Sequence, residues 1–154
     1  MTGDMTSGAQ LVIAATFTAD PVCETLDFWA GELGWSAAPV LAPYAQVYPQ
    51  LLQPASALRS NGGGANIVLV RWCDLAGGAG YEPAVAELAR ALRGFSHDVP
   101  LLVGLCPEAG ASDDSDRANE ALAAGLAGLA AILLTIVPSR RLMHPAALLT
   151  DAAP

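Results

Sequence analysis

The chain has 154 residues, 53% hydrophobic and 14% charged, which is the size and composition of one ordinary domain with a substantial core. Its seven basic residues are all Arg, and fifteen carboxylates bring the formal charge to -8, which opposes the phosphate contacts that nucleic acids and anionic membranes require. The three cysteines, Cys23, Cys73 and Cys106, are widely spaced, with no Cys-x-x-Cys and no nearby His pair, which argues against structural zinc and for a reducing cytoplasm.

Residues 1–10 are polar and read as a flexible N-terminus, with no basic segment leading into an apolar core and cleavage site. Leu11 to Phe17 is a continuous apolar run, as expected of a strand covered on both faces. Asp20 is then placed to cap a helix with Pro21 at its first position, and Val22, Leu26, Trp29 and Leu33 recur at helical spacing before Gly34 stops it. On this stripe Trp29 is expected in the core, whereas Phe28, Trp35, Tyr44 and Tyr48 divide evenly between core and a contact surface. A short strand near Ala38 to Leu41 leads into Pro43-Tyr44-Ala45-Gln46-Val47-Tyr48-Pro49, a helix-prone segment that Pro49 should kink or interrupt.

The turn cluster Ser60 to Asn66 separates that segment from a second buried strand, Ile67-Val68-Leu69-Val70-Arg71-Trp72-Cys73-Asp74. A helix follows from about Glu82 to Arg93, with Val85, Leu88 and Leu92 on one face. Then come the strand Leu101 to Cys106, a helix from about Asp114 to Gly128 and a strand from Ala131 to Val137. The apolar stretch from Ala121 to Val137 is broken by Gly125 and Gly128, and neither part is long enough to cross a bilayer. Residues 138–154 have the composition of a C-terminal segment or linker.

Unbroken Val/Ile/Leu strands alternating with amphipathic helices predict one α/β domain over residues 11–137. Its architecture is three-layered: a mainly parallel sheet of about five strands with helices on both faces. Right-handed crossovers would bring the carboxyl ends of the strands to one edge, gathering Thr16, Thr18, Arg71, Asp74, Cys106 and Pro107.

Three separated phrases carry a family resemblance: Ala14 to Trp35, Ala42 to Leu58, and Gly64 to Leu75. In that order they resemble the amino-terminal, SGNH-hydrolase-like domain of FkbH-like proteins and the equivalent module within bacterial polyketide synthases and nonribosomal peptide synthetases. The likeness runs over roughly Leu11 to Pro107. It implies a flavodoxin-like or SGNH-like fold, and a cleft or binding site at Thr16-Phe17-Thr18, at Gln46 of Tyr44-Ala45-Gln46, and at Arg71 and Asp74 of Arg71-Trp72-Cys73-Asp74. The chain departs from the family pattern at Ala45, where a polar or small residue is common, at Pro49 in place of Gln, and at Cys73 in place of Glu. It also lacks the Asp-x-Asp-x-Thr/Val motif of the domain that performs glyceryl transfer in FkbH-like enzymes, so that reaction does not carry over.

An SGNH hydrolase needs a Ser nucleophile after the first strand and a late Asp-x-x-His, because the imidazole must reach the hydroxyl while a carboxylate fixes its tautomer. Here Thr16 and Thr18 stand in the first position, and neither His97 nor His144 has an Asp three residues earlier. Thr hydroxyls that satisfy local backbone groups are the simpler reading. Ser96-His97-Asp98 are neighbours that cannot converge on one acceptor, and they read as a loop. His144 beside Arg140 and Arg141 reads as a solvated helix or linker rather than an anion site. Cys73 and Cys106 end inner strands and could approach each other, although buried Cys is usually a small hydrophobe. Arg71 and Asp74 are either a structural ion pair at the sheet edge or ligand-binding groups.

No catalytic residue, metal site or cofactor is assigned. The expected function is that of a catalytically degenerate SGNH-like accessory domain in a polyketide or nonribosomal peptide assembly line, contacting neighbouring domains or a carrier protein. The alternative is an acyl- or glyceryl-handling enzyme, thioesterase-like or esterase-like, with catalytic parts supplied in part by a neighbouring segment.

Overall fold

In the computed structural model, residues 9–108, 113–130 and 132–136 are described. The elements in chain order are β1 (Gln10–Ala15), α1 (Asp20–Leu33), β2 (Ala38–Leu41), α2 (Val47–Leu52), α3 (Ala57–Ser60), β3 (Gly64–Val70), α4 (Trp72–Ala76), α5 (Tyr81–Gly94), β4 (Leu101–Leu105), α6 (Asp113–Gly125) and β5 (Ile132–Ile136). The five strands form one sheet in the order β2-β1-β3-β4-β5, and every neighbouring pair is parallel. This is the doubly wound order in which each strand returns through a helix, so the expected three-layer α/β class holds. Among the described residues no helix is long and apolar enough to cross a membrane. The expectations for residues 1–8 and 138–154, His144 included, lie outside the described residues.

Strand residues alternate between the two faces. Val12, Ala14, Val68, Val70, Val103 and Leu105 join Leu51, Leu58, Trp72, Leu88, Leu92 and Leu122 from α2 to α6 in one buried cluster. Each fully buried Leu of this kind is worth about 1.5–3 kcal/mol relative to exposure, so this layer carries most of the stability. The opposite layer is thinner. There α1 rests on β2, and Ala30 is its only buried residue.

Several local expectations are corrected. Asp20 does not cap α1: Ala19 is the N-cap, without a side-chain bond, and Asp20 occupies the first turn, where its charge still suits the helix dipole. Trp29 is not core but 53% exposed, because the helix rolls its inner line onto Ala30 and little packs beside it. Phe28, Trp35 and Tyr44 are likewise exposed, while Tyr48 packs against the core. Gly34 ends α1 in the left-handed conformation, φ 66°, as its position predicted.

Pro49 neither kinks nor interrupts its helix. It is the third residue of α2, where a backbone N–H has no intrahelical acceptor to lose. The turn cluster ends early, since β3 already begins at Gly64. There a Cβ would collide with the Gln10 backbone, and φ is 98°, so only Gly fits. Asn61 and Asn66 are buried rather than solvated: Asn61 Nδ2 donates to Asn66 Oδ1 at 2.9 Å, and Asn66 Nδ2 donates to the Leu58 carbonyl at 2.9 Å. β3 stops at Val70, so Arg71 is the N-cap of α4 and Trp72 to Asp74 are its first residues rather than a strand end.

Candidate functional site

The carboxyl ends of β1 and β3 lie side by side, and the residues just beyond them meet. Thr16, at 5% exposure, has its backbone N–H on the Leu69 carbonyl at 3.0 Å. Its hydroxyl accepts the Arg71 backbone N–H at 3.0 Å and donates to Asp74 Oδ2 at 3.0 Å. Arg71 closes the cluster: Nε donates to Asp74 Oδ2 at 2.9 Å and one terminal nitrogen to Oδ1 at 3.1 Å, a two-pronged pair. The guanidinium also lies 4.7 Å over the Phe17 ring. The bond to Asp74 raises the Arg71 pKa further above its ordinary value. The Arg71 side chain is 37% exposed, so the ion pair is a rim feature and not a buried charge.

Thus three of the five expected site residues, Thr16, Arg71 and Asp74, converge. The other two do not join them. Thr18 is exposed and lines an adjoining depression with Phe17, Asp20, Leu41 and Tyr44. Gln46 is exposed at the N-cap of α2, where its carbonyl accepts the Gln50 N–H at 3.0 Å and its amide caps nothing. The depression has a cavity volume of only about 30 Å³, against roughly 300–1,000 Å³ for small-molecule sites. Ala45, which precedes Gln46 in the chain, is held at φ 55°, a strained value for a residue with a side chain.

Two participants escaped the sequence reading. Glu108, two residues past Cys106 at the end of β4, accepts the Cys73 N–H at 3.1 Å and the Tyr81 hydroxyl at 3.0 Å, tying α4 and α5 to the same edge. The strand-end rule that found Arg71 would have found Glu108 had it been followed past Pro107. Trp72 is buried and donates from Nε1 to Asn119 Oδ1 at 2.7 Å, which fixes α4 against α6. Of the thiols, Cys73 is exposed in α4 and not at a strand end, and its Sγ lies 3.8 Å from Asp74 Oδ1. Burial and the nearby Glu108 and Asp74 push the Cys73 thiol up, and burial raises Cys106 as well. A raised thiol pKa is the opposite of an activated nucleophile.

His97 sits at the other end of the sheet, ahead of β4. Its Nε2 faces the Arg59 carbonyl at 2.8 Å and its Nδ1 accepts the Val99 N–H at 3.1 Å. Both ring nitrogens are thereby committed to the loop, as the reading of Ser96 to Asp98 as a loop implied. Among the described residues no group of three or more His, Cys, Asp or Glu side chains could hold a metal ion. In chemical terms the strand-end cluster holds a turn in place: the Thr16 hydroxyl donates its hydrogen bond to Asp74, and among the described residues no imidazole is near to take the proton.

Comparison with known proteins adds no relative: no family model, curated protein or solved structure matches the chain.

Proposed function

We propose that the protein is a catalytically silent SGNH-like accessory domain of a polyketide or nonribosomal peptide assembly line, acting in the cytoplasm through contacts with neighbouring domains or a carrier protein. Its basis in sequence is the ordered phrases around Thr16-Phe17-Thr18, Tyr44-Ala45-Gln46 and Arg71-Trp72-Cys73-Asp74. The observation that carries the silent half is the hydroxyl of Thr16, buried and committed as donor to Asp74 and as acceptor from Arg71 N–H. A nucleophile needs a base to receive its proton, and His97 spends both nitrogens at the opposite edge of the sheet.

The contact half is supported by large apolar side chains left in solvent, Phe28, Trp29, Leu33, Trp35 and Tyr44. The test is a calorimetric titration of the full chain with the synthase and carrier domains encoded beside it. The proposal expects saturable binding to at least one of them. Binding to none would refute it.

A further inference from the structure

Asn61 is followed by Gly62, the one Asn-Gly pair in the chain. An asparagine loses its side-chain nitrogen when the next backbone nitrogen attacks its amide carbon. A following Gly permits this best, because no side chain hinders the approach and the backbone turns freely. Of the other two asparagines, Asn66 precedes β-branched Ile67 and Asn119 precedes Glu120.

The fold holds the reacting atoms of this pair still. Asn61 is 2% exposed, just past α3, with φ -68° and ψ 112°. Its Nδ2 donates to Asn66 Oδ1 at 2.9 Å, to the Ala65 carbonyl at 3.2 Å and to the Gln10 carbonyl at 3.4 Å. Its Oδ1 accepts the Gly63 N–H at 3.2 Å. With both ends of the amide held, Cγ cannot turn onto the Gly62 nitrogen until those bonds break. A carboxylate in the same place has no hydrogen to donate, so it would face three oxygens in a buried site. Asn66 cannot turn its amide to help, because its Nδ2 already donates to the Leu58 carbonyl at 2.9 Å.

We propose that Asn61-Gly62 is a deamidation site closed by the native fold, so that the reaction belongs to the unfolded chain and makes its unfolding irreversible. In the first step the Gly62 nitrogen bonds to Asn61 Cγ and the Cγ–Nδ2 bond breaks. The proton of the Gly62 nitrogen leaves with the amide nitrogen as ammonia. Water then opens the cyclic imide at one of its two carbonyls, leaving either aspartate or isoaspartate, whose side-chain methylene has entered the main chain. Isoaspartate lengthens the link from α3 into β3. There the Gly63 carbonyl accepts the Gln10 N–H at 3.0 Å, and Gly64 lies too close to the Gln10 backbone to admit a Cβ. Water is the only co-reactant. The site is independent of the contact-domain reading and stands whether or not a partner binds.

The test holds the full chain at mildly alkaline pH with and without concentrated urea and maps its peptides by mass spectrometry over time. Conversion of Asn61 is expected at least tenfold faster in urea, and the fraction that refolds after urea is removed should fall with it. Gly62→Ala is the control. A Cβ at Gly62 meets nothing within 4 Å, so this variant should melt like the parent, convert at least tenfold more slowly in urea and keep its ability to refold. Equal conversion with and without urea, faster conversion at Asn66 or Asn119, or deamidated chain that refolds to the parent melting temperature would each overturn the proposal. So would a Gly62→Ala chain that loses refolding as fast as the parent.

Discussion

Thr16 and Arg71 are joined through one hydroxyl: Thr16 Oγ1 accepts the Arg71 backbone N–H at 3.0 Å while donating to Asp74. The bond ties the turn after β1 to the turn after β3, so the segment that would present a nucleophile is instead a strut between two strands. Thr16→Val keeps the shape and strands the Arg71 N–H. It should cost about 1–3 kcal/mol in denaturant unfolding, whereas Thr16→Ser should recover most of that. A Val variant as stable as the parent would show that the strut bears no load.

Arg71 itself should matter less than its two-pronged geometry implies. Its side chain is 37% exposed, and exposed ion pairs contribute at most about 1 kcal/mol. Arg71→Met should therefore shift the midpoint of thermal unfolding only slightly. A large loss would mean that the guanidinium holds Asp74 for Thr16 more firmly than its exposure indicates.

The sheet was legible because a parallel strand covered on both faces must be apolar throughout, and Val12 to Ala15, Ile67 to Val70 and Leu101 to Leu105 have no polar interruption. The inner face of α5 was legible for the same reason: Val85, Leu88 and Leu92 have a full layer to meet. Trp29 and Leu33 misled because periodicity records which residues could be buried together, not whether a neighbour is present to bury them. Asn61 and Asn66 were hidden by turn chemistry, since Asn in a Gly-rich run usually marks solvent. At the site, composition located the strand ends, but Gln46 and Thr18 depend on loop paths that no spacing rule fixes.

Ala45 is held at φ 55° in the loop before α2. Left-handed backbone costs an L-residue about 1–2 kcal/mol, partly offset by the greater freedom glycine loses on folding. Ala45→Gly should raise stability by up to about 1 kcal/mol. Destabilisation by Gly would mean that the methyl group makes a contact worth more than the strain.

The hydroxyl of Tyr48 is buried and has no hydrogen-bond partner among the described residues. Removing such a group should be neutral or favourable, and Tyr48→Phe is expected to gain about 1 kcal/mol at neutral pH. Burial, with Glu87 nearby, pushes the Tyr48 pKa up to about 12, so the folded state holds a proton that the unfolded chain gives up near 10. The associated stability is complete below the unfolded value and is lost as pH rises through the folded one. Alkaline unfolding should therefore be less steep in Tyr48→Phe between those limits. An early phenolate signal from Tyr48 in the folded protein would contradict this.

Silence of the strand-end cluster is tested most directly by turnover. The full chain, incubated with short acyl esters and acyl-pantetheine thioesters, should hydrolyse them no faster than buffer, and Thr16→Ala should change nothing. Hydrolysis by the parent that Thr16→Ala abolishes would contradict that silence and make Thr16 a nucleophile.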